Sequence, residues 1–356
     1  MSVIDHRVHA VILAAGQGTR LRSSLPKVLH PAAGRPMLEC VVQAAKAAGC
    51  EQISVVIGHG AEQVRSAMSG QDLGWVVQAE QKGTGHALAQ VESETAGGDL
   101  LLVLSGDVPL VRAETLEKLV AAARQGWGAM AVAELDEPGS LGRVLTRPDG
   151  SLQAIVEAAD ANPEELKVHR VNAGLYALPA PEIFEFLARL EPDNAKGELY
   201  LTDALNAAAG ADRPIQLLDL DDPSESFGVN NRADLGLVHR TLIRRHTANL
   251  MDAGVTFLDA ERTTIEVTVS VERDTVIHPG VTLLGETSVS EGCVLHQGAW
   301  LRDSSVGERV EIAPYSVLEG ARVEADCRIG PFARLRPGSV IGPLSLIHIS
   351  EPTRRT

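Results

Sequence analysis

Aromatic residues are scarce in this 356-residue chain: Phe, Tyr and Trp together make up 3% of it. Its core must therefore be built from aliphatic side chains, which the 44% hydrophobic content supplies. No run of about 18 apolar residues occurs, which excludes a transmembrane helix. Met1 to Ala10 holds Asp5, His6 and Arg7 and no long apolar stretch, so it is not read as a signal peptide. The four cysteines (Cys40, Cys50, Cys293, Cys327) form no CxxC pair and have no His partners at metal spacing. They read as buried thiols of a reducing cytoplasm. Basic charge is also short, with a formal net charge of -15, and this argues against a nucleic-acid or membrane partner. One stretch departs from that balance. From His6 to Pro36 there are five basic residues (Arg7, Arg20, Arg22, Lys27, Arg35) and no acidic one. That island is either a chance cluster on a solvated face or a site for a small polyanion.

The length suggests two domains. Short apolar runs at Val8–Leu13, Ile53–Ile57, Trp75–Val77 and Leu100–Leu104 read as buried strands. They alternate with helical stretches at Met37–Ala48, Ala61–Met68, Gly85–Val91 and Ala113–Arg124. This order predicts an α/β fold with a mostly parallel sheet. Arg143–Thr146, Leu152–Val156 and Val171–Leu178 are expected as strands of an inserted or edge region, and Pro181–Leu190 as a helix. Asn231–Asp252 has helical spacing, with Gly254 as its stop signal. Beyond it the period changes. Aliphatic residues recur from Ile265 to Ile341 at steps of six, with two steps of five, and a small or β-branched residue follows four positions after most of them. This is a hexapeptide repeat and predicts a parallel β-helix, with the large side chain inside and the small one at the corner. The expected boundaries are 1–230 for the α/β domain, 231–253 for a linker helix, 254–342 for the solenoid and 343–356 for a non-native tail.

The segment Val11-Ile12-Leu13-Ala14-Ala15-Gly16-Gln17-Gly18-Thr19-Arg20 follows the first strand. Its small residues let backbone N–H groups approach a polyphosphate, and Arg20 and Lys27 would flank it if the loop folds back. Leu21 replaces the third glycine of a dinucleotide fingerprint, and no Gly-Lys-Ser/Thr of a P-loop is present. Asp107 follows a buried strand, where it is either a Mg²⁺ ligand or a turn residue before Pro109. Asn230 is either a second oxygen ligand or a helix cap. Gln78 has the paired donor and acceptor that read a pyrimidine edge. Glu157 and Asn172, on apolar strands, either bind sugar hydroxyls or are solvated strand residues.

Taken together, Leu13-Ala14-Ala15-Gly16-x-Gly18-Thr19-Arg20, Leu25-Pro26-Lys27-Val28-Leu29, Gln81-x-Gly83-Thr84-x-His86-Ala87, Gly106-Asp107-Val108-Pro109 and Gly228-Val229-Asn230-Asn231-Arg232, followed by a hexapeptide solenoid, closely resemble one family. It is the bifunctional bacterial N-acetylglucosamine-1-phosphate uridyltransferase / glucosamine-1-phosphate acetyltransferase. Ser105 stands where some members resemble Tyr-Gly-Asp. The resemblance implies a Rossmann-like nucleotidyltransferase domain followed by a left-handed parallel β-helix. It implies joining of UTP and N-acetylglucosamine-1-phosphate into UDP-N-acetylglucosamine and pyrophosphate, with Mg²⁺, in a cytoplasmic homotrimer that feeds peptidoglycan and lipopolysaccharide synthesis. Carried over by motif, Leu13, Ala14, Ala15, Gly16, Gln78, Gly83 and Thr84 hold the nucleotide, and Arg20 and Lys27 neutralise phosphates. Asp107 and Asn230 hold the metal. Gly142, Glu157, Asn172 and Tyr200 bind the sugar. Of the family's acetyltransferase site only Arg336 is matched, so acetyl transfer is expected to be absent from these residues. The rival readings are a nucleotidyltransferase for another sugar or base, such as a glucose-1-phosphate thymidylyltransferase, a hexapeptide acyltransferase with an accessory domain, and a non-catalytic trimeric binding protein.

Overall fold

The computed structural model describes residues 7–95 and 98–347. The chain folds into two compact units: residues 1–30 with 36–238, and residues 31–35 with 239–356. The dividing point near Val238 falls inside a helix rather than before it, and five residues from the N-terminal region belong to the second unit.

The first unit opens with β1 (Val8–Leu13); a two-strand ribbon of β2 (Pro31–Ala32) and β3 (Arg35–Pro36), all but Pro36 of which belongs to the second unit, precedes α1 (Met37–Ala47). Next come β4 (Gln52–Ile57), α2 (Ala61–Ala67), β5 (Gly74–Val77), α3 (Thr84–Ala89), β6 (Leu100–Ser105) and α4 (Ala113–Ala123). The rest is β7 (Gly128–Glu134), β8 (Arg143–Thr146), β9 (Leu152–Val156), β10 (Arg170–Pro179), α5 (Glu182–Leu187), α6 (Leu201–Gly210), β11 (Ile215–Asp219) and α7 (Arg232–Asp252), the last shared between the units. The central sheet runs β11-β7-β10-β6-β1-β4-β5. Its strands pair in parallel except β10, which is antiparallel to both β6 and β7. Of the three strands expected in an inserted or edge region, β8 and β9 lie off this path and β10 is an interior strand. Val171, Ala173, Leu175 and Ala177 join one aliphatic layer of the core, while Tyr176 and Leu178 join the other, so the strand is covered on both faces. Val11, Val56, Leu101 and Val103 lie on the second face and Ile12, Val55, Leu102 and Leu104 on the first, the two-residue alternation of a doubly covered sheet.

The second unit stacks two- and three-residue strands into three parallel ladders of six, five and five strands, from Thr256–Phe257 to Leu346–Ile347. Ile277 pairs with Leu295, 18 residues on, and Leu295 with Ile312, 17 on. One coil is thus three hexapeptides, shortened by one residue where the aliphatic step is five. The inward column Ile265, Ile277, Leu283, Leu295, Leu301, Ile312, Leu318 and Ile329 is fully buried, and the corner residues Thr287, Cys293, Ala299, Ser316 and Cys327 are buried beside it. The region is a parallel β-helix of the left-handed hexapeptide class. The expected end at residue 342 is too early. Leu346 and Ile347 pair with Arg328 and Ile329, and Ile347 falls six residues after Ile341, in register with the repeat. Residues 348–356 of the expected tail lie outside the described residues.

Gly254 ends α7 as its position predicted. With φ at +96°, it lets its own N–H reach Met251 O and the Val255 N–H reach Leu250 O, closing a Schellman cap. Cys293 and Cys327 are buried as expected, whereas Cys40 and Cys50 are only half-buried. No helix among the described residues is long and apolar enough to cross a membrane.

Candidate active site

The parallel strands of the first unit deliver their loops to one edge of the sheet, where open α/β sheets bind ligands. The chain leaves β1 with Ala14 N–H bonded to Val56 O (2.8 Å), turns at Gly18 (φ +63°) and folds back over Lys27. A Cβ on Gly18 would lie 2.5 Å from Lys27 Cβ, so only glycine lets the lysine stem pass beneath the loop. Gly106 donates to Leu13 O (2.9 Å), which brings the residues after β6 against those after β1.

Four of the expected residues then meet. Lys27 Nζ forms an ion pair with the Asp107 carboxylate and donates to Asn230 Oδ1 at 3.3 Å. Arg20 Nη2 donates to the same Asn230 oxygen at 2.7 Å. Two cations and two oxygen-bearing side chains thus form one cluster. Arg7, at the other end of β1, instead pairs with buried Asp99 (2.9 Å), and Arg35 belongs to the second unit. Only two members of the basic island join this cluster.

Asn230 is held by its neighbours rather than acting as the cap. Asn231 Oδ1 accepts from the N–H groups of Ala233 (2.8 Å) and Asp234 (3.0 Å), while Asp234 Oδ2 accepts from the N–H groups of Asn230 (2.8 Å) and Asn231 (3.1 Å). This reciprocal box starts α7 and leaves the Asn230 side chain to the two cations. Val229 N–H bonds to Asp107 O (2.9 Å), and Arg232 Nε donates to Leu21 O (3.2 Å).

A cavity of 760 Å³ opens beside this cluster, lined by Arg20, Asp107 and Asn230 and also by Leu13, Thr84, Gly142, Glu157 and Asn172. Arg143 holds the turn before Gly142 by donating to the carbonyls of Leu141 and Gly139. Asn172 N–H bonds to Gly142 O (2.9 Å). Glu157 Oε1 accepts from Thr202 Oγ1 at 3.0 Å. Burial raises the Glu157 carboxyl above its usual range, against the opposing pull of the Thr202 hydrogen bond. A carboxyl whose folded pKa is raised binds its proton more tightly in the folded state, so its contribution is favourable below the unfolded value and is lost as pH rises through the folded one. Glu157→Gln should therefore melt like the wild type near about pH 4 and above it near about pH 7. A melting difference that stays flat across this range, measured by scanning calorimetry, would remove burial as the cause.

The other residues expected to hold the nucleotide are not part of the cavity lining. Ala14 and Ala15 are buried and Gly16 is exposed. Gly58 is pressed between them and Gln81, since a Cβ there would lie 3.0 Å from Ala15 Cβ and 2.7 Å from Gln81 Nε2. Gln78 is buried, with Nε2 bonded to Gly83 O (3.1 Å) and His86 Nδ1 (2.9 Å). Gly83 sits at φ +107°, where a Cβ would lie 2.5 Å from Leu199 O, and Thr84 Oγ1 accepts from Leu201 N–H (3.0 Å). Tyr200 is not brought to the cavity. It is buried under the Lys196 ammonium, 5.9 Å from its ring centroid, and its hydroxyl has no hydrogen-bond partner among the described residues. Arg336 is exposed on the second unit, one residue past a solenoid strand.

Ser105, Tyr176, Thr202 and Asp234 also line the cavity and were not expected as site residues. Asp234 was legible as the fourth residue of an Asn-x-x-Asp cap. Tyr176 and Thr202 were not, because their positions depend on how β10 and α6 pack.

Residues 10–197 match the family described as the MobA-like NTP transferase domain. "Bifunctional protein GlmU" of Syntrophotalea carbinolica is 45% identical over 319 residues, covering 88% of this chain and 68% of that protein. The protein of the same name from Pelobacter propionicus is 41% identical over 353 residues, covering 98% and 77%. That from Marinobacter nauticus is 41% identical over 332 residues, covering 93% and 73%. Among solved structures, a UDP-glucose pyrophosphorylase complexed with UDP-glucose matches with a TM-score of 0.56 at 21% identity, over 67% of this chain and 98% of its own, a likeness of fold. With this coverage and identity on both sides, the chain belongs to the GlmU family.

Proposed function

We propose that this protein transfers the uridylyl group of UTP to N-acetylglucosamine-1-phosphate, giving UDP-N-acetylglucosamine and pyrophosphate. The observation that carries the reading is the meeting of Arg20, Lys27, Asp107 and Asn230 beside a cavity that also holds Glu157 and Asn172. Cations sit where phosphates would react, and hydrogen-bonding groups for a sugar lie in the same space.

The nucleophile is an oxygen of the sugar phosphate, already anionic, so no general base is needed. It attacks the α-phosphorus of UTP in line, the new P–O bond forms, and the bond to the β-phosphate oxygen breaks to release pyrophosphate. Repulsion between two anions is the main barrier. Arg20 and Lys27 lower it by charge, and the loop from Ala14 to Gly18 holds the nucleotide in place. Asp107 and Asn230 suit Mg²⁺, because both offer hard oxygen donors and both already converge on a cation, the Lys27 ammonium. An ion held by these two side chains would take its remaining ligands from phosphate and water. When bound, Mg²⁺ spreads the negative charge of the phosphate oxygens. Asn172, Glu157 and Gly142 take the sugar.

The family resemblance supports a cytoplasmic homotrimer. The test is pyrophosphate release with Mg²⁺. UTP and N-acetylglucosamine-1-phosphate should give one pyrophosphate per UDP-sugar, and dTTP or glucose-1-phosphate should react far more slowly. Turnover with dTTP and glucose-1-phosphate but not with the uridyl pair would transfer the assignment to the thymidylyl reading, and tight UDP-N-acetylglucosamine binding without pyrophosphate release would leave a binding protein.

A further inference from the structure

β10 is interrupted where it passes the cavity. Asn172 pairs with Val132 of β7 and Tyr176 with Met130, so the three residues Ala173, Gly174 and Leu175 oppose the single residue Ala131. Gly174, at φ +73°, makes this bulge, and its N–H donates to Asn172 Oδ1 at 3.0 Å. In a regular strand, side chains four residues apart are separated by about 13 Å. Here the bulge folds them together, and Asn172 Nδ2 donates to the Tyr176 hydroxyl at 2.6 Å. Bulges next to active sites re-aim side chains in this way.

The hydrogen-bond inventory of this pair is uneven. The Asn172 amide is engaged at both ends, its oxygen by Gly174 N–H and its nitrogen by Tyr176. The Tyr176 hydroxyl accepts one bond but also owns a proton, and among the described residues no acceptor lies within hydrogen-bond distance of it. The Glu157 carboxylate is near enough to act on the phenol electrostatically but makes no bond to it. Tyr176 is 6% exposed and lines the cavity. A buried hydroxyl with an unspent donor facing a polar cavity is costly unless a ligand completes it.

We infer that Tyr176 is a specificity-determining residue of the sugar pocket, orienting the Asn172 amide and donating its own hydroxyl proton to an acceptor oxygen of the bound sugar 1-phosphate. This rests on the uridylyl-transfer reading and adds to it a residue that the family pattern in the sequence did not supply. The bulge at Gly174 is what brings the hydroxyl and the amide together.

The test is steady-state kinetics of Tyr176→Phe, which keeps the ring in the core and removes only the hydroxyl. The KM for N-acetylglucosamine-1-phosphate should rise by about three- to tenfold, the loss of one hydrogen bond, while the KM for UTP stays unchanged. The same substitution in an Asn172→Ala background separates donation from orientation: the sugar KM should rise again. An unchanged sugar KM in Tyr176→Phe, or an effect that disappears completely in the Asn172→Ala background, overturns the inference while the wild type remains active. A wild type that does not turn over UTP with N-acetylglucosamine-1-phosphate overturns the functional reading first and this inference with it.

Discussion

Lys27→Met lowers kcat by about two to three orders of magnitude while the protein stays folded. The lysine stem runs under Gly18, with 2.5 Å between its Cβ and the place where a Cβ on Gly18 would be, and methionine keeps an unbranched chain in that space. What is lost is the ammonium between Asp107 and Asn230. Without it Arg20 is the one side-chain cation left in the cluster beside the Mg²⁺ that Asp107 and Asn230 would hold, so both ground-state binding and, more strongly, the charge developing on the leaving pyrophosphate suffer. Stability should change little, because the Asp107 side chain is 25% exposed and can be hydrated. Arg20→Ala should show a decrease in the same direction, since its guanidinium meets the same Asn230 oxygen. The measurement is kcat for pyrophosphate release at saturating UTP, with the melting temperature recorded alongside. Near wild-type turnover in Lys27→Met would remove the charge from the mechanism and leave Lys27 a structural tie between two loops.

This cluster was legible because its members lie in short motifs whose chemistry survives without coordinates: glycines before cations, a carboxylate after a buried strand, an asparagine before a helix. The basic island was not legible in the same way. Nearness in sequence put Arg7 with Arg20, yet β1 separates them by the length of a six-residue strand, about 20 Å. The solenoid was readable because each coil repeats the same packing problem, so the aliphatic step announces the fold residue by residue. β7 and α6 gave no such signal. Gly-Ala-Met-Ala-Val-Ala-Glu and Leu-Thr-Asp-Ala-Leu-Asn-Ala-Ala-Ala-Gly are rich in alanine, which favours helix on its own and becomes a strand in β7 only through its neighbours β10 and β11. The antiparallel, interior place of β10 and the meeting of Asn172 with Tyr176 depend on that same pairing and on one bulge, neither of which leaves a periodic trace.

Arg112→Ala should destabilise the nucleotidyltransferase unit by about 3 kcal/mol, through a group that never touches substrate. Glu225 is completely buried, and its carboxylate is satisfied by four donors: the Arg112 N–H, Nε and Nη2 at 2.9 Å each, and Thr115 Oγ1 at 3.0 Å. Arg112 is the N-cap residue of α4 and makes no side-chain cap of its own, so the carboxylate, from a distant part of the chain, takes the place of a cap and lies at the positive end of the helix dipole. Deleting the guanidinium leaves an anion inside the protein with two donors in place of four. Arg112→Lys should fall between, because an ammonium keeps the charge but not the fork that reaches the carboxylate through Nε and Nη2 together. For a unit of this size, about 3 kcal/mol corresponds to roughly 6 to 12 °C in melting temperature. The damage should also reach the active site. Glu225 lies five residues before Asn230, on a 3-10 turn spanning Pro223–Ser226 whose Asp222 carboxylate accepts from Ser224 N–H at 3.0 Å. Loosening that turn frees the loop that holds Asn230 against Arg20 and Lys27, so Arg112→Ala should need more Mg²⁺ for half-maximal rate even at a temperature where it is fully folded. A variant melting within a degree or so of wild type, or one whose Mg²⁺ requirement is unchanged while its stability falls, would separate the buried carboxylate from the site it is argued to support.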